Sequence, residues 1–230
     1  NHSAREAAIY AVKLLEDDPL FNAGTGSKLQ EDGKARMSAS IMDSSSNIFS
    51  AIVNIENIKN PIEVASLLKD KKNTVLTGLN ATNFARDLGY KVFDTITEDR
   101  IKEYKNKIVG NTGTVGAVAI DKNGMISAAT STGGIGGEIA GRMSDCPTVA
   151  GNYANKFAGV SCTGIGEHII NFSLASKIVS KVEENLNLRD VINKIMSEAE
   201  KLKYKFGIIA IDSKGNISVS KTTEMIYYAL

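Results

Sequence analysis

Thr114 follows Gly113 and opens the run Thr114-Val115-Gly116-Ala117-Val118-Ala119-Ile120. With the preceding peptide bond intact, a threonine at the head of such a run is unremarkable. Breaking the Gly113–Thr114 bond would give Thr114 a free α-amine beside its own hydroxyl, so that one residue supplies both nucleophile and base. That self-cleavage is the central expectation from the sequence. The polar groups available to serve such a nucleophile are Thr132, Arg142 and Asp145, and the stretch Thr163-Gly164-Ile165-Gly166. A plainer reading stands beside this one: Thr130 and Thr132 as ordinary strand residues, Arg142 and Asp145 as an exposed pair contributing only about 0–1 kcal/mol.

Other chemistries find little support. The chain has two histidines, His2 at its start and His168 in the first turn of a helical stretch, where a surface or capping role is expected rather than a triad base. Two histidines and two cysteines are too few for a zinc site of the usual kind. Cys146 and Cys162 read as small buried hydrophobes in a reducing, cytoplasmic setting rather than as a disulfide scaffold. Gly24-Thr25-Gly26-Ser27-Lys28 lacks the gap a phosphate-binding loop needs, and Ile139 stands where Gly134-Ile135-Gly136 would need its third glycine. Backbone amides in either loop remain able to meet an anion.

The 230 residues, 43% hydrophobic and 23% charged, suit a single globular domain with a real core. A net charge of +1 gives no electrostatic case for nucleic acid or an anionic membrane. No apolar run approaches the roughly 18 residues of a membrane helix, and no charged-then-apolar leader precedes Ser3.

The elements that must position Thr114 follow from local pattern. Ser3-Ala4-Arg5-Glu6 is a capping box, and Ala7, Ala8, Ala11, Val12 and Leu15 form one helical face that ends by Pro19. Residues 37–42 and 48–53 read as strands around the turn Asp43-Ser44-Ser45-Ser46-Asn47. Asn60-Pro61 opens a helix, 74–77 is a short strand, and 80–88 is a helix stopped by Gly89. The charged stretch 97–107 is either a surface helix or a mobile linker leading to an exposed cleavage point. Residues 115–120 read as a strand buried on both faces, turning at Asp121-Lys122-Asn123-Gly124 into a return strand through Thr132. A glycine-rich loop follows, then a strand at 159–162, one long helix over 166–182, another over 188–202, and a last hairpin. Gly116-Ala-Val-Ala-Ile-Asp-Lys-Asn-Gly-Met-Ile-Ser is echoed by Gly207-Ile-Ile-Ala-Ile-Asp-Ser-Lys-Gly-Asn-Ile-Ser. Two such hairpins flanking a pair of helices predict an α+β fold of two stacked antiparallel sheets with helices outside.

Six tags in one order carry a family resemblance: Phe21-Asn22-Ala23-Gly24, Ala39-Ser40-Ile41-Met42-Asp43, Gly113-Thr114-Val115-Gly116, Thr130-Ser131-Thr132-Gly133-Gly134, Gly141-Arg142 with Asp145 and Pro147, and Thr163-Gly164 with Gly166-Glu167. Together they resemble the plant-type asparaginase/isoaspartyl peptidase branch of the N-terminal nucleophile hydrolases. The resemblance implies a four-layer αββα sandwich, made as an inactive precursor and cut into an α chain 1–113 and a β chain 114–230. It implies that Thr114 attacks the side-chain amide of L-asparagine or the carbonyl of a β-aspartyl dipeptide, with its own α-amine as base. By position, Thr132 would orient Thr114, and Thr163 and Gly164 would hold the oxyanion. Arg142 would clamp the substrate α-carboxylate, Asp145 and the Gly166 carbonyl would take the α-amine, and Asn22 would support the nucleophile. The family also implies a structural sodium ion on the backbone from Leu15 to Phe21, no other cofactor, and a dimer of αβ units.

The sequence departs from the family pattern at several points. Family chains open on a strand ending in His-Gly-Gly, ahead of where this sequence starts. Ser38 replaces a usual Asp, Ile165 a frequent His, and Gly137-Glu138 a more typical Asn-Lys near the pocket mouth. Glycosylasparaginase shares the layout, but Thr132-Gly133-Gly134 and Val115-Gly116-Ala117 argue against that branch. No long insertion supports a threonine endopeptidase cutting after Asp. The non-enzyme alternative is a small-molecule-binding α+β domain that never cleaves itself.

Overall fold

The computed structural model describes residues 2–108, 113–223 and 226–230. Helix α1 (Ala4–Asp17) starts as the capping box predicts: Ser3 Oγ accepts from the Glu6 amide, and Glu6 Oε2 accepts from the Ser3 amide at 2.8 Å. Its buried line is Ala4, Ala8, Val12 and Glu16, while Ala7 is exposed and Ala11 and Leu15 are half-buried. The stripe therefore ends on a carboxyl that an apolar pattern cannot reveal.

Strands β1 (Met37–Asp43) and β2 (Phe49–Ile55) form the expected hairpin, its turn closed by the amides of Ser45 and Ser46 donating to Asp43 Oδ1. Helix α2 (Pro61–Ser66) begins at the proline, but Asn60 does not cap it; its Nδ2 donates to Asp17 Oδ1 at 2.9 Å instead. Next come β3 (Val75–Thr77) and α3 (Gly78–Asp87). The charged stretch is a helix, α4 (Glu98–Lys105), capped by Thr97. The chain just beyond it, residues 109–112, on which the expected exposed cleavage point falls, lies outside the described residues. Strands β4 (Val115–Ile120) and β5 (Ile126–Thr132) pair as a hairpin. A three-residue strand the sequence did not signal, β6 (Asn152–Ala154), precedes β7 (Ala158–Gly164). The single helix expected over 166–182 is two, α5 (Gly166–Phe172) and α6 (Leu174–Glu183), broken at Ser173 with φ 49°. The break turns Phe172 edge-on to Tyr204 and beside Phe206, a contact across some thirty residues of chain that no local pattern encodes. Helix α7 (Leu188–Lys201), β8 (Phe206–Asp212) and β9 (Ile217–Lys221) complete the order.

Among the described residues the strands form two sheets, β3-β2-β1-β5-β4 and β6-β7-β8-β9. Pairing is antiparallel throughout except β2 with β3, which run parallel, correcting the all-antiparallel expectation. The α2 crossover between those strands makes a parallel return natural. Helices α1, α2 and α3 cover the first sheet over Ala8, Val12, Met37, Ile41, Ile52, Ile62 and Ala85. Helices α6 and α7 cover the second over Val160, Ile178, Ile192, Ile208 and Ala210. The result is the expected four-layer αββα arrangement. β4 is the outer strand of its sheet, so only Val115 is buried and the rest is half-covered, not buried on both faces.

Between the sheets, one end is apolar, with Met42, Ile126, Ala128, Ala154 and Ile211 in contact. The other is small and polar: Thr130 Oγ1 and Ser161 Oγ lie 2.7 Å apart across the gap, and Ser40 Oγ donates to the Cys146 carbonyl at 2.6 Å. Gly116 faces Ser161 so closely that any Cβ there would overlap its side chain. The small polar end adjoins Thr114.

Candidate active site

The β4–β5 register pairs Val115 with Ser131, so Thr114, one residue before β4, comes opposite Thr132. Thr114 Oγ1 donates to Thr132 Oγ1 at 3.2 Å, and the Thr132 hydroxyl also accepts from the Gly134 amide at 3.2 Å. Strand alternation sends Thr130 and Thr132 toward the second sheet and Ser131 toward α1, where its hydroxyl donates to Glu16 Oε1 at 2.6 Å. Gly113 lies against Asn22, whose Cβ would be 2.5 Å from a Cβ at 113. Asn22 ties the surrounding loops together. Its Nδ2 donates to the Gly134 carbonyl at 2.6 Å, its Oδ1 accepts from the Lys28 amide at 2.8 Å, and its carbonyl accepts from the Gly133 amide at 2.8 Å.

A small cavity opens at this point, lined by Thr114, Thr132, Gly134, Ile135, Arg142, Ser144, Asp145, Gly164 and Gly166. The structure thus brings together six sequence-nominated residues, Thr114, Thr132, Arg142, Asp145, Gly164 and Gly166. Thr163 is the neighbour of a lining residue at the end of β7 and is itself half-buried, and Asn22 stands behind Gly133 and Gly134. The cavity holds about 10 Å³, room for roughly one water molecule. Arg142 and Asp145 close tightly over Gly166: Arg142 Nη2 and Asp145 Oδ1 would lie 2.9 Å and 3.1 Å from a Cβ there.

Arg142 and Asp145 are not an exposed pair. Arg142 Nε and Nη2 donate to the two carboxylate oxygens of Glu167 at 2.7 and 2.9 Å, a partner the sequence did not single out. That guanidinium holds the Glu167 carboxyl below its ordinary range. Asp145 is 3% exposed, and burial raises its pKa to about 7 against the pull of Arg142. Its Oδ2 and the Ser144 hydroxyl are buried with no hydrogen-bond partner among the described residues. Sequence reasoning passed over Ser144, although its place between Arg142 and Asp145 was the available signal.

Glu16, beneath Ser131, is fully enclosed, and desolvation pushes its carboxyl to about 8. Cys146 and Cys162 are buried free thiols, raised by the same cause, as expected of small core residues. His168 stacks on Tyr204 with ring centroids 4.7 Å apart and accepts the Lys205 amide at Nδ1, a structural role. Of the departures from the family pattern, Ser38 Oγ accepts from the Asn54 amide, Ile165 is exposed, and Glu138 folds back so that Oε1 accepts from the Ile135 amide. Among the described residues no cluster of His, Cys, Asp and Glu is placed to hold a metal ion.

A family model described as asparaginase matches residues 1–112 and 105–230, which together span the chain. This chain belongs to the asparaginase family. It is 42% identical over 246 residues to an isoaspartyl peptidase/L-asparaginase of Synechocystis, covering 99% of this chain and 75% of the relative. A plant-type L-asparaginase of Pyrococcus horikoshii is 39% identical over 253 residues, covering 99% and 83%. An isoaspartyl peptidase/L-asparaginase of Bos taurus is 38% identical over 244 residues, covering 99% and 79%. The two-sheet α+β architecture agrees with membership of this hydrolase family.

Proposed function

We propose that the protein is an autoprocessing threonine amidohydrolase that cleaves L-asparagine and β-aspartyl dipeptides. The observation that carries this is the Thr114–Thr132 hydroxyl pair, at 3.2 Å, in one cavity with Arg142 and Asp145. Hydrolysis of the Gly113–Thr114 bond frees the Thr114 α-amine, whose reference pKa of ~7.7–8.0 suits a base near neutral pH. Thr114 Oγ1 then attacks the side-chain carbonyl and its proton passes to the amine. The tetrahedral oxyanion is received at Thr163 and Gly164, a contribution of about 10²–10³ in rate per donor. Ammonia or an amino acid departs with the proton, and water releases aspartate from the acyl-enzyme. Arg142 binds the α-carboxylate, while Asp145 and the Gly166 carbonyl take the α-ammonium. Thr132 orients Thr114 and Asn22 braces the loops around it. With about 10 Å³ free while Gly113 is attached, the site must open on processing to admit an aspartyl group.

The test is intact mass and denaturing electrophoresis of purified protein. Two fragments divided at 113/114 and ammonia release from L-asparagine are expected; Thr114→Ala should give one band and no ammonia. A wild-type band that stays whole on long incubation would sink the reading in favour of a binding domain. Faster turnover of a sugar-linked asparagine than of β-Asp-Leu would move the protein to the glycosylasparaginase reading.

Three further readings come with this one. A structural sodium ion would sit on the backbone from Leu15 to Phe21, where uncharged carbonyl oxygens are the donor type a hard cation takes. The loop is already folded tightly, with the Glu16 and Asp18 carbonyls accepting from the Thr25 and Phe21 amides, which supports a site made of backbone. A dimer of αβ units and a cytoplasmic location complete the proposal. Two buried free thiols suit a reducing compartment, and no helix among the described residues is long and apolar enough to cross a membrane.

A further inference from the structure

Ser144 lines the cavity, is 8% exposed, and has a hydroxyl with no hydrogen-bond partner among the described residues. A buried hydroxyl left in that state is unfavourable unless something else meets it. The segment around it is fixed: the Arg142 amide donates to the Ile139 carbonyl, and the Thr148 amide and hydroxyl both donate to the Asp145 carbonyl. The hydroxyl therefore faces its surroundings from a rigid backbone. Resting on the reading that this cavity takes a free L-aspartyl group, we propose that Ser144 is a further substrate-binding residue whose hydroxyl donates to the substrate α-carboxylate beside Arg142.

Charge balance favours the carboxylate over the ammonium, because the Arg142 guanidinium is already shared with Glu167. The substrate ammonium already has the unpartnered Asp145 Oδ2, a stronger acceptor than a hydroxyl once ionised. The substrate carboxylate has about four lone-pair sites to fill. Arg142 commits Nε and an Nη2 proton to Glu167, leaving only its remaining terminal N–H groups for the substrate. Ser144, which lines the same cavity, carries an additional donor without a partner among the described residues, and a hydroxyl-to-carboxylate bond is charge-assisted.

The experiment compares kcat/KM of mature wild type, Ser144→Ala and Ser144→Gly on three amides, by ammonia release. L-Asparagine carries both α-groups, succinamic acid lacks the amine, and 3-aminopropanamide lacks the carboxylate. Expected for both variants is a loss of roughly tenfold or more on L-asparagine and succinamic acid, expressed in KM. No loss is expected on 3-aminopropanamide, with self-processing and melting temperature unchanged. An equal loss on all three amides, or failure of both variants to fold or process, would make Ser144 structural and overturn the assignment. A loss confined to the two amine-bearing amides would give the hydroxyl to the ammonium, and no loss at all would remove Ser144 from the site. Were wild type to release no ammonia from L-asparagine, the amidohydrolase reading itself would fail, and this assignment with it.

Discussion

Asp145 and Glu16 are both carboxyls enclosed by protein, and burial raises them to about 7 and about 8. Their consequences differ because only Asp145 lines the cavity. In the proposed function its ionised form receives the substrate ammonium, so the KM for L-asparagine should fall as pH rises through about 7. Asp145→Asn should bind weakly and lose that dependence; a KM profile unchanged by the substitution would remove Asp145 from substrate binding. Glu16 speaks to stability instead. An unfolded glutamate ionises near 4.5, whereas the folded chain keeps the Glu16 proton to about 8. Between those values the native state binds the extra proton, so stability falls with rising pH across that window and levels off above it. Glu16→Gln keeps an acceptor for Ser131 and cannot ionise. Denaturant titrations should find it gaining on wild type from pH 5 to pH 8.5, and a pH-independent difference would rule Glu16 out as the protonated group.

At the scale of elements, the β4–β5 hairpin places Thr114 through register, and its closeness to β7 depends on small residues. Gly116 against Ser161, and Thr130 hydrogen-bonded to Ser161, let the two sheets approach where a larger pair would hold them apart. Gly116→Ala forces a methyl into the Ser161 side chain and should cost about 1–3 kcal/mol of stability by overpacking. It should also slow processing, because Thr114 is two residues away on the same strand line. Adding Ser161→Ala should recover part of the loss in urea midpoint. A double variant no better than the single one would show that the constraint lies elsewhere.

For the whole molecule, the expected cut falls between elements that remain bonded to each other. β1, from the first fragment, pairs with β5, from the second, along the whole run from Ser38 opposite Thr132 to Asp43 opposite Ser127. α1 packs over that same hairpin, with Glu16 bonded to Ser131. The two fragments therefore share one sheet and one core, and hydrolysing a single bond leaves that core intact. Mature protein should elute from gel filtration as one species containing both fragments, separating only where denaturant melts the fold. Fragments parting in native buffer would contradict the β1–β5 pairing as the molecule's centre.

The capping box at Ser3, the turns at Asp43 and Asp121, two stacked sheets with helices outside and the ordered set of motifs around Thr114 were legible in the residues themselves, while the four-layer αββα sandwich came through the resemblance. Capping and turn chemistry act over two to four residues, and strand or helix periodicity over one element, so the local sequence suffices. The roles proposed for Thr132, Arg142 and Asp145 were suggested only by resemblance, since nothing local distinguishes them from a strand threonine and a surface pair. Tertiary structure alone decided the parallel β3, the break at Ser173, the burial of Glu16, the Arg142–Glu167 bond and the unpartnered Ser144 hydroxyl. Each depends on what the fold brings up from far along the chain, as Ser131 and Glu16 meet across 115 residues. Burial and charge partners are set by that assembly, and periodicity in one dimension carries no record of them.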